Sequence, residues 1–107
     1  MNFEEYQNLA RRTQNPKLSA FERKQHALHG LSSEVGEIHS IFQKYYQGHA
    51  IDYSKVVDEL GDLMWFACEL CDVLNVHLED VCGRNIAKLR ERYPDGFDEE
   101  HSIHRTI

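Results

Sequence analysis

The sequence predicts an all-α domain, a four-to-five-helix antiparallel bundle, on three observations. Apolar residues recur at three- and four-residue intervals through most of the 107-residue chain, and no stretch alternates as a half-buried strand would. Only two prolines occur, Pro16 and Pro94, so the long region between them lacks the residue that breaks helices. The connections between the periodic segments are short, which favours antiparallel neighbours. One core needs about this much chain, so residues 1–107 read as a single domain without a linker.

The elements follow in order. A first helix fits Phe3 to about Arg12, with Asn2 as its cap, Glu5 placed to reach back, and Asn15-Pro16 as its end. The second opens on Ser19-Ala20-Phe21-Glu22, the pattern of a reciprocal capping box, and runs to about Gln47, where Gly48 supplies the stop. Gly30 is placed to bend it. A third helix spans Tyr53 to Leu74, capped by Asp52 or Ser54, and Asn75-Val76 breaks it. The fourth runs from Leu78 to Arg92, after which Pro94-Asp95-Gly96 forces a turn. Residues 98–107 read as an extended tail.

Charge and composition exclude several functions. With 18 acidic residues against 12 basic ones and a formal charge of −6, the chain lacks the cationic excess that phosphate-backbone binding requires, so nucleic acid is not an expected partner. No apolar run is long enough to span a membrane, and the start Met-Asn-Phe-Glu-Glu does not resemble a secretory signal, so a cytoplasmic location is expected. Of the three cysteines, Cys68 and Cys71 have the spacing of half a zinc or redox motif. No second Cys/His pair completes it, and the thiols read as core residues in a reducing compartment.

The chemistry lies in an internal echo. Glu34-Val35-Gly36-Glu37-Ile38 matches Glu59-Leu60-Gly61-Asp62-Leu63 acid for acid and glycine for glycine. At 100° per residue from Glu34, the apolar residues Leu31, Val35, Ile38, Phe42 and Tyr45 fall in an arc of roughly 20° to 100°, with Glu37 near −60°. From Glu59, residues Val56, Leu60, Leu63, Ala67, Leu70 and Leu74 fill the same arc, and Asp62 takes the place of Glu37. If these stripes meet, four carboxylates converge at the edge of one core. Their mutual repulsion calls for cations, and an all-oxygen ligand set suits Mg²⁺, with Mn²⁺ also accommodated. A single Glu-x-x-Glu would read as a solvated helix face; the duplication in matching phase carries the metal reading. Gly36 and Gly61, costly inside helices, fit either the close approach of another helix or a bend.

The fourth helix supplies the opposite charge. Arg84, Lys88 and Arg92 recur every four residues beside Asn85, while Ile86 and Leu89 are expected to turn toward the core. Next to a carboxylate–metal cluster, such a cationic stripe suits a polyphosphate. The third helix also carries Val57, Met64, Trp65 and Cys68 outside its main stripe, so it needs cover on two sides, which points to self-association unless the first helix and tail provide it.

These residues resemble the signature of the MazG-like nucleoside triphosphate pyrophosphohydrolases: Glu-x-x-Glu at Glu34 and Glu37, then Glu-x-x-Asp at Glu59 and Asp62. The stretches Asp58–Trp65, Leu78–Val81 and Asn85–Phe97 extend the likeness to small single-domain members, over roughly residues 28 to 97. The resemblance implies Mg²⁺ held by the four acids and hydrolysis of a nucleoside triphosphate between its α and β phosphates by metal-assisted water attack. Glu37, or alternatively Glu59, would be the general base, and Asn85, Lys88 and Arg92 would contact the substrate. It also implies a homodimer or homotetramer with sites near the subunit contacts.

Two rivals remain. A di-iron oxidase would need Glu-x-x-His pairs, and none of the seven histidines stands three residues after a glutamate; His26 and His29 share a face without such an acid. A non-catalytic helical adaptor would use the apolar surplus of the third helix to bind a partner and would have no use for the four acids.

Overall fold

The computed structural model describes residues 1–105. It comprises the helices α1 (Phe3–Arg11), α2 (Ala20–Tyr45), α3 (Tyr53–Val73), α4 (Leu78–Arg92) and α5 (Glu99–Ile103), with no β-strand among the described residues. The all-α expectation is met.

Local chemistry sets the helix ends. The Asn2 side chain accepts the Glu5 backbone N–H at 2.8 Å, so Glu5 contributes its main chain to the cap. Both halves of the box at Ser19 and Glu22 form, at 3.1 and 3.0 Å. Gly48, at φ 91°, closes α2: its N–H reaches the Tyr45 carbonyl, and that of His49 reaches Lys44, the paired bonds of a left-handed helix stop. Asn75, at φ 56°, closes α3 in the same way, with bonds from Asn75 to Asp72 and from Val76 to Cys71. The start of α4 is capped from a distance, since Leu78 donates its N–H to Oε1 of the buried Gln7 on α1 at 2.8 Å.

The expected extended tail is corrected over Glu99–Ile103. Asp98 accepts the backbone N–H groups of Glu100 and His101 at 2.7 and 3.3 Å and starts the short helix α5. The last two residues of that expected tail, 106–107, lie outside the described residues.

Helices α2 and α3 form a long hairpin, and α1 lies against α3. Ala10 of α1 meets Cys68, Cys71 and Leu78 in a small core flanked by Tyr6, Trp65 and Cys82. The cysteines are free thiols, and burial pushes Cys68 up to about 11, which keeps it protonated and inert. Helix α4 packs chiefly on α1, and within it Leu78 alone is buried.

The phase of the hairpin corrects two expectations. No residue of the stripe read as the shared core is buried: Val35 is 44% exposed, Tyr45 57%, Leu60 51% and Leu74 57%, and Leu31, Ile38, Val56, Leu63, Ala67 and Leu70 are half-buried. Ile86 and Leu89 of α4, expected to face the core, are also exposed. The buried side of α2 runs instead through Ala27, Gly30 and Ile41, because small residues there admit the Phe66 ring of α3. A methyl group at Gly30 would overlap that ring, whereas Gly36 and Gly61 have open space where a side chain would begin. Close helix approach therefore falls at Gly30 and not at the two glycines of the echo.

A prediction follows from this contact. Gly30→Ala destabilises the fold by about 1–3 kcal/mol through overpacking, measured by urea unfolding. In the Phe66→Leu background the same change costs much less, since the overlapping ring is gone. Equal penalties in both backgrounds would contradict the contact.

Candidate functional site

The seam that buries Gly30 also draws acids inward. Glu59, Asp62, Phe66 and Glu69 follow one another at three- and four-residue intervals on α3 and share a face; Ala27, Gly30 and Glu34 do the same on α2, and Ile41 repeats that face two turns after Glu34. Where the two faces meet, one carboxylate oxygen from each of Glu34, Glu59 and Asp62 falls within 4.8 Å of the others. Glu34 and Glu59 are half-buried and Asp62 is exposed.

The electrostatics of this group would suit a cation. A hydrogen bond to Glu59, burial, and the charges of Glu59, Asp62 and Glu37 together push Glu34 up to about 7. Holding a proton on Glu34 relieves the repulsion that two bare carboxylates would have. Oε2 of Glu34 is buried with no hydrogen-bond partner, leaving a lone pair that a cation would satisfy. The donor set is all carboxylate oxygen, which suits a hard divalent ion.

The other expected site residues lie elsewhere. Glu37 is exposed and outside the three-acid group, though its charge reaches Glu34. Asn85 and Lys88 project from α4 as exposed side chains, and Arg92 is half-buried. Helix α4 rests on α1, and among the described residues no ion pair joins Arg84 or Lys88 to the acid group.

Farther along the seam stands a pair that periodicity did not single out. Glu69, 1% exposed, meets Nδ1 of His26 at 2.6 Å. The His26 ring lies edge-on to Trp65 and tilted against Phe66, with centroids at 6.3 and 5.5 Å, and Trp65 donates Nε1–H to Thr13 at 2.7 Å. The available signal was positional: Glu69 stands seven residues after Asp62 and His26 eight before Glu34, so both repeat the face of the acids.

The protonated Glu34 sets a pH dependence. Its folded-state value lies above the ordinary 4.5, so across that window the folded chain holds a proton that the unfolded chain has lost. The stability it contributes is full below the ordinary value and is lost as pH rises through the raised one. In metal-free buffer the unfolding temperature of the wild type should fall more steeply from about pH 5 to about pH 8 than that of Glu34→Gln, and millimolar Mg²⁺ should restore it mainly at the higher pH. Identical profiles for the two proteins would contradict this.

No helix among the described residues is long and apolar enough to cross a membrane. Comparison with curated proteins and with solved structures gives no match. The family model of the MazG nucleotide pyrophosphohydrolase domain matches residues 22–97, a span that holds the whole acid group and α4. The chain belongs to the MazG nucleotide pyrophosphohydrolase family.

Proposed function

We propose that this chain is a Mg²⁺-dependent pyrophosphohydrolase that cleaves a nucleoside or deoxynucleoside triphosphate between the α and β phosphates, releasing the monophosphate and pyrophosphate. The observation that carries the reading is the convergence of Glu34, Glu59 and Asp62, with a buried, unpartnered oxygen on Glu34, in a family of this activity. Glu34, Glu59 and Asp62, joined by Glu37, would hold Mg²⁺, and Mn²⁺ suits the same oxygens. When bound, the ion supplies charge neutralisation for the phosphates and acidity for the attacking water. Glu37, with its carboxylate outside the group, is the favoured acceptor of the water proton, and Glu59 the alternative. Asn85, Lys88 and Arg92 contact phosphate oxygens through charge-assisted hydrogen bonds.

The reading includes a homodimer or homotetramer, because one chain leaves its parts unassembled. The radius of gyration is 17.2 Å, against about 13 Å for a compact chain of this length. An open apolar depression of about 420 Å³, lined by Leu31, Val35 and Leu63, adjoins Glu34 and Asp62 in sequence. Ile86 and Leu89 of α4, 46% and 37% exposed, stand beside Asn85 and Lys88. A second copy that seats α4 in this depression covers both apolar surfaces and carries the basic stripe to the acids. In this proposal residues 1–107 act as one catalytic domain in the cytoplasm, with a nucleotide as substrate and neither nucleic acid nor membrane as partner.

The deciding experiment incubates the protein with a panel of ribo- and deoxyribonucleoside triphosphates and Mg²⁺, then resolves pyrophosphate from orthophosphate. Pyrophosphate with monophosphate is the expected result. Orthophosphate with diphosphate would overturn the choice of bond, and no turnover on any triphosphate would favour a binding role for the exposed faces of α3.

A further inference from the structure

We propose that the junction of α1, α2 and α3 with the α3–α4 connection binds a phosphate-type oxyanion at a site separate from the acid group. A cavity of about 360 Å³ opens there, lined by Gln7, Arg11, Arg23, Asp72, Asn75 and His77 among others. Asp72 and Asp62 are ten residues apart on α3, roughly 15 Å along the helix, so the two sites share no ligand.

The charges around the cavity do not balance. Asp72 is saturated: its Oδ1 accepts from Gln7 at 2.9 Å and Arg11 at 2.7 Å, and its Oδ2 accepts from Gln14 at 2.6 Å. Burial raises its carboxyl, but the bonds from Arg11, Gln7 and Gln14 outweigh that and hold it below the usual range. Arg11 and Asp72 therefore cancel. Arg23 has no such counter-charge. Its one described hydrogen bond goes to the neutral Oε1 of Gln14 at 2.5 Å, its Nε is buried without a partner, and no carboxylate stands within 4.0 Å of it among the described residues. A guanidinium that is partly desolvated and unpaired is an unfavourable arrangement that an anion in the cavity relieves.

The lining narrows the ligand. Arg11 and Arg23 also line a neighbouring cavity of about 230 Å³, so both guanidiniums stand in a shared wall, in the forked donor chemistry that recognises phosphate oxygens. Gln7 is spent on Asp72, the Val76 carbonyl and the Leu78 N–H, so Asn75 supplies the amide, and the His77 side chain makes no capping hydrogen bond. No tryptophan, tyrosine or phenylalanine lines the cavity, whose wall is made chiefly of charged and polar side chains. The phosphate group itself is what the site fits, as free phosphate or as pyrophosphate.

Isothermal titration tests this on the full chain, in EDTA so that no metal bridges an anion to the acids, with inorganic phosphate and pyrophosphate as probes and acetate at equal ionic strength as control. We expect saturable binding of a phosphate species, at least tenfold weaker in Arg23→Gln, partly restored in Arg23→Lys, and unchanged in Glu59→Gln. Pyrophosphate bound tenfold or more tightly than phosphate assigns the site to a diphosphate; equal affinities assign it to a single phosphoryl group. Should Arg23→Gln fail to fold, the Arg23 Nε–H resonance of the wild type is followed instead, and it should shift with phosphate and not with acetate. Absence of saturable binding, equal binding of acetate, undiminished binding in folded Arg23→Gln, or a resonance indifferent to phosphate overturns the proposal.

Discussion

Glu59→Gln, and separately Asp62→Asn, should lose triphosphate turnover by at least about a hundredfold, the scale associated with removing one preorganised charge-stabilising group. Both substitutions keep the size and the hydrogen-bonding reach of the side chain and delete only its charge, so the loss reports electrostatics and not packing. Stability should move the other way. Without metal, a proton on Glu34 relieves its repulsion with Glu59, and an amide at position 59 can donate to Glu34 permanently. The metal-free Glu59→Gln protein should therefore melt no lower than the wild type above neutral pH and should lose the stabilisation by Mg²⁺. Helical circular dichroism should be unchanged, because Glu59 and Asp62 cap no helix and take part in none of the described ion pairs. Full activity in both variants would remove the acid group from the chemistry.

The sequence made the helix ends legible because each end is decided within a few residues. Asn2 and Ser19 offer side-chain acceptors to nearby N–H groups, and Gly48 and Asn75 adopt positive φ. The acid group was legible for a related reason: residues three apart on a helix share a face whatever packs against it. The rotational phase of the hairpin was not. Helix α3 is apolar over much of its circumference, so an apolar arc beside Glu59 fits the pattern as well as the true seam does. What selects the seam is a long-range steric fact, the Phe66 ring lying over Gly30, and the spacing of polar and apolar residues does not encode which glycine meets which ring. The turn of phase explains Glu37 as well. It shares a face with Glu34, but Glu34 occupies the seam position and Glu37 the solvent beside it. Tertiary capping was equally hidden, since nothing local marks Gln7 as the acceptor for Leu78, 71 residues away.

Mixing two crippled proteins should restore activity that neither has. One parent carries Glu59→Gln and so lacks a working acid group; the other carries Lys88→Ala with Arg92→Ala and so lacks the basic stripe. Two lost charge-assisted contacts are together worth about 3–6 kcal/mol, enough to leave the second parent below roughly a hundredth of wild-type activity. If α4 serves the site of its own chain, every site in a mixed dimer contains one defect, and the mixture does no better than its parents. If α4 reaches across to the other copy, each mixed dimer gathers both defects into one site and leaves the second intact. Random reassortment after mild unfolding and refolding makes half of the dimers mixed, so the mixture should recover about a quarter of the wild-type rate. The exposed Ile86 and Leu89 on α4 and the exposed Val35 and Leu60 on the hairpin favour the second outcome, because neither pair finds cover within one chain and each lies beside the charges that must meet. Lysine at Val35 should then give a monomer by sedimentation and lose turnover with the acids intact, while a dimeric, fully active Val35→Lys protein would place the contact elsewhere.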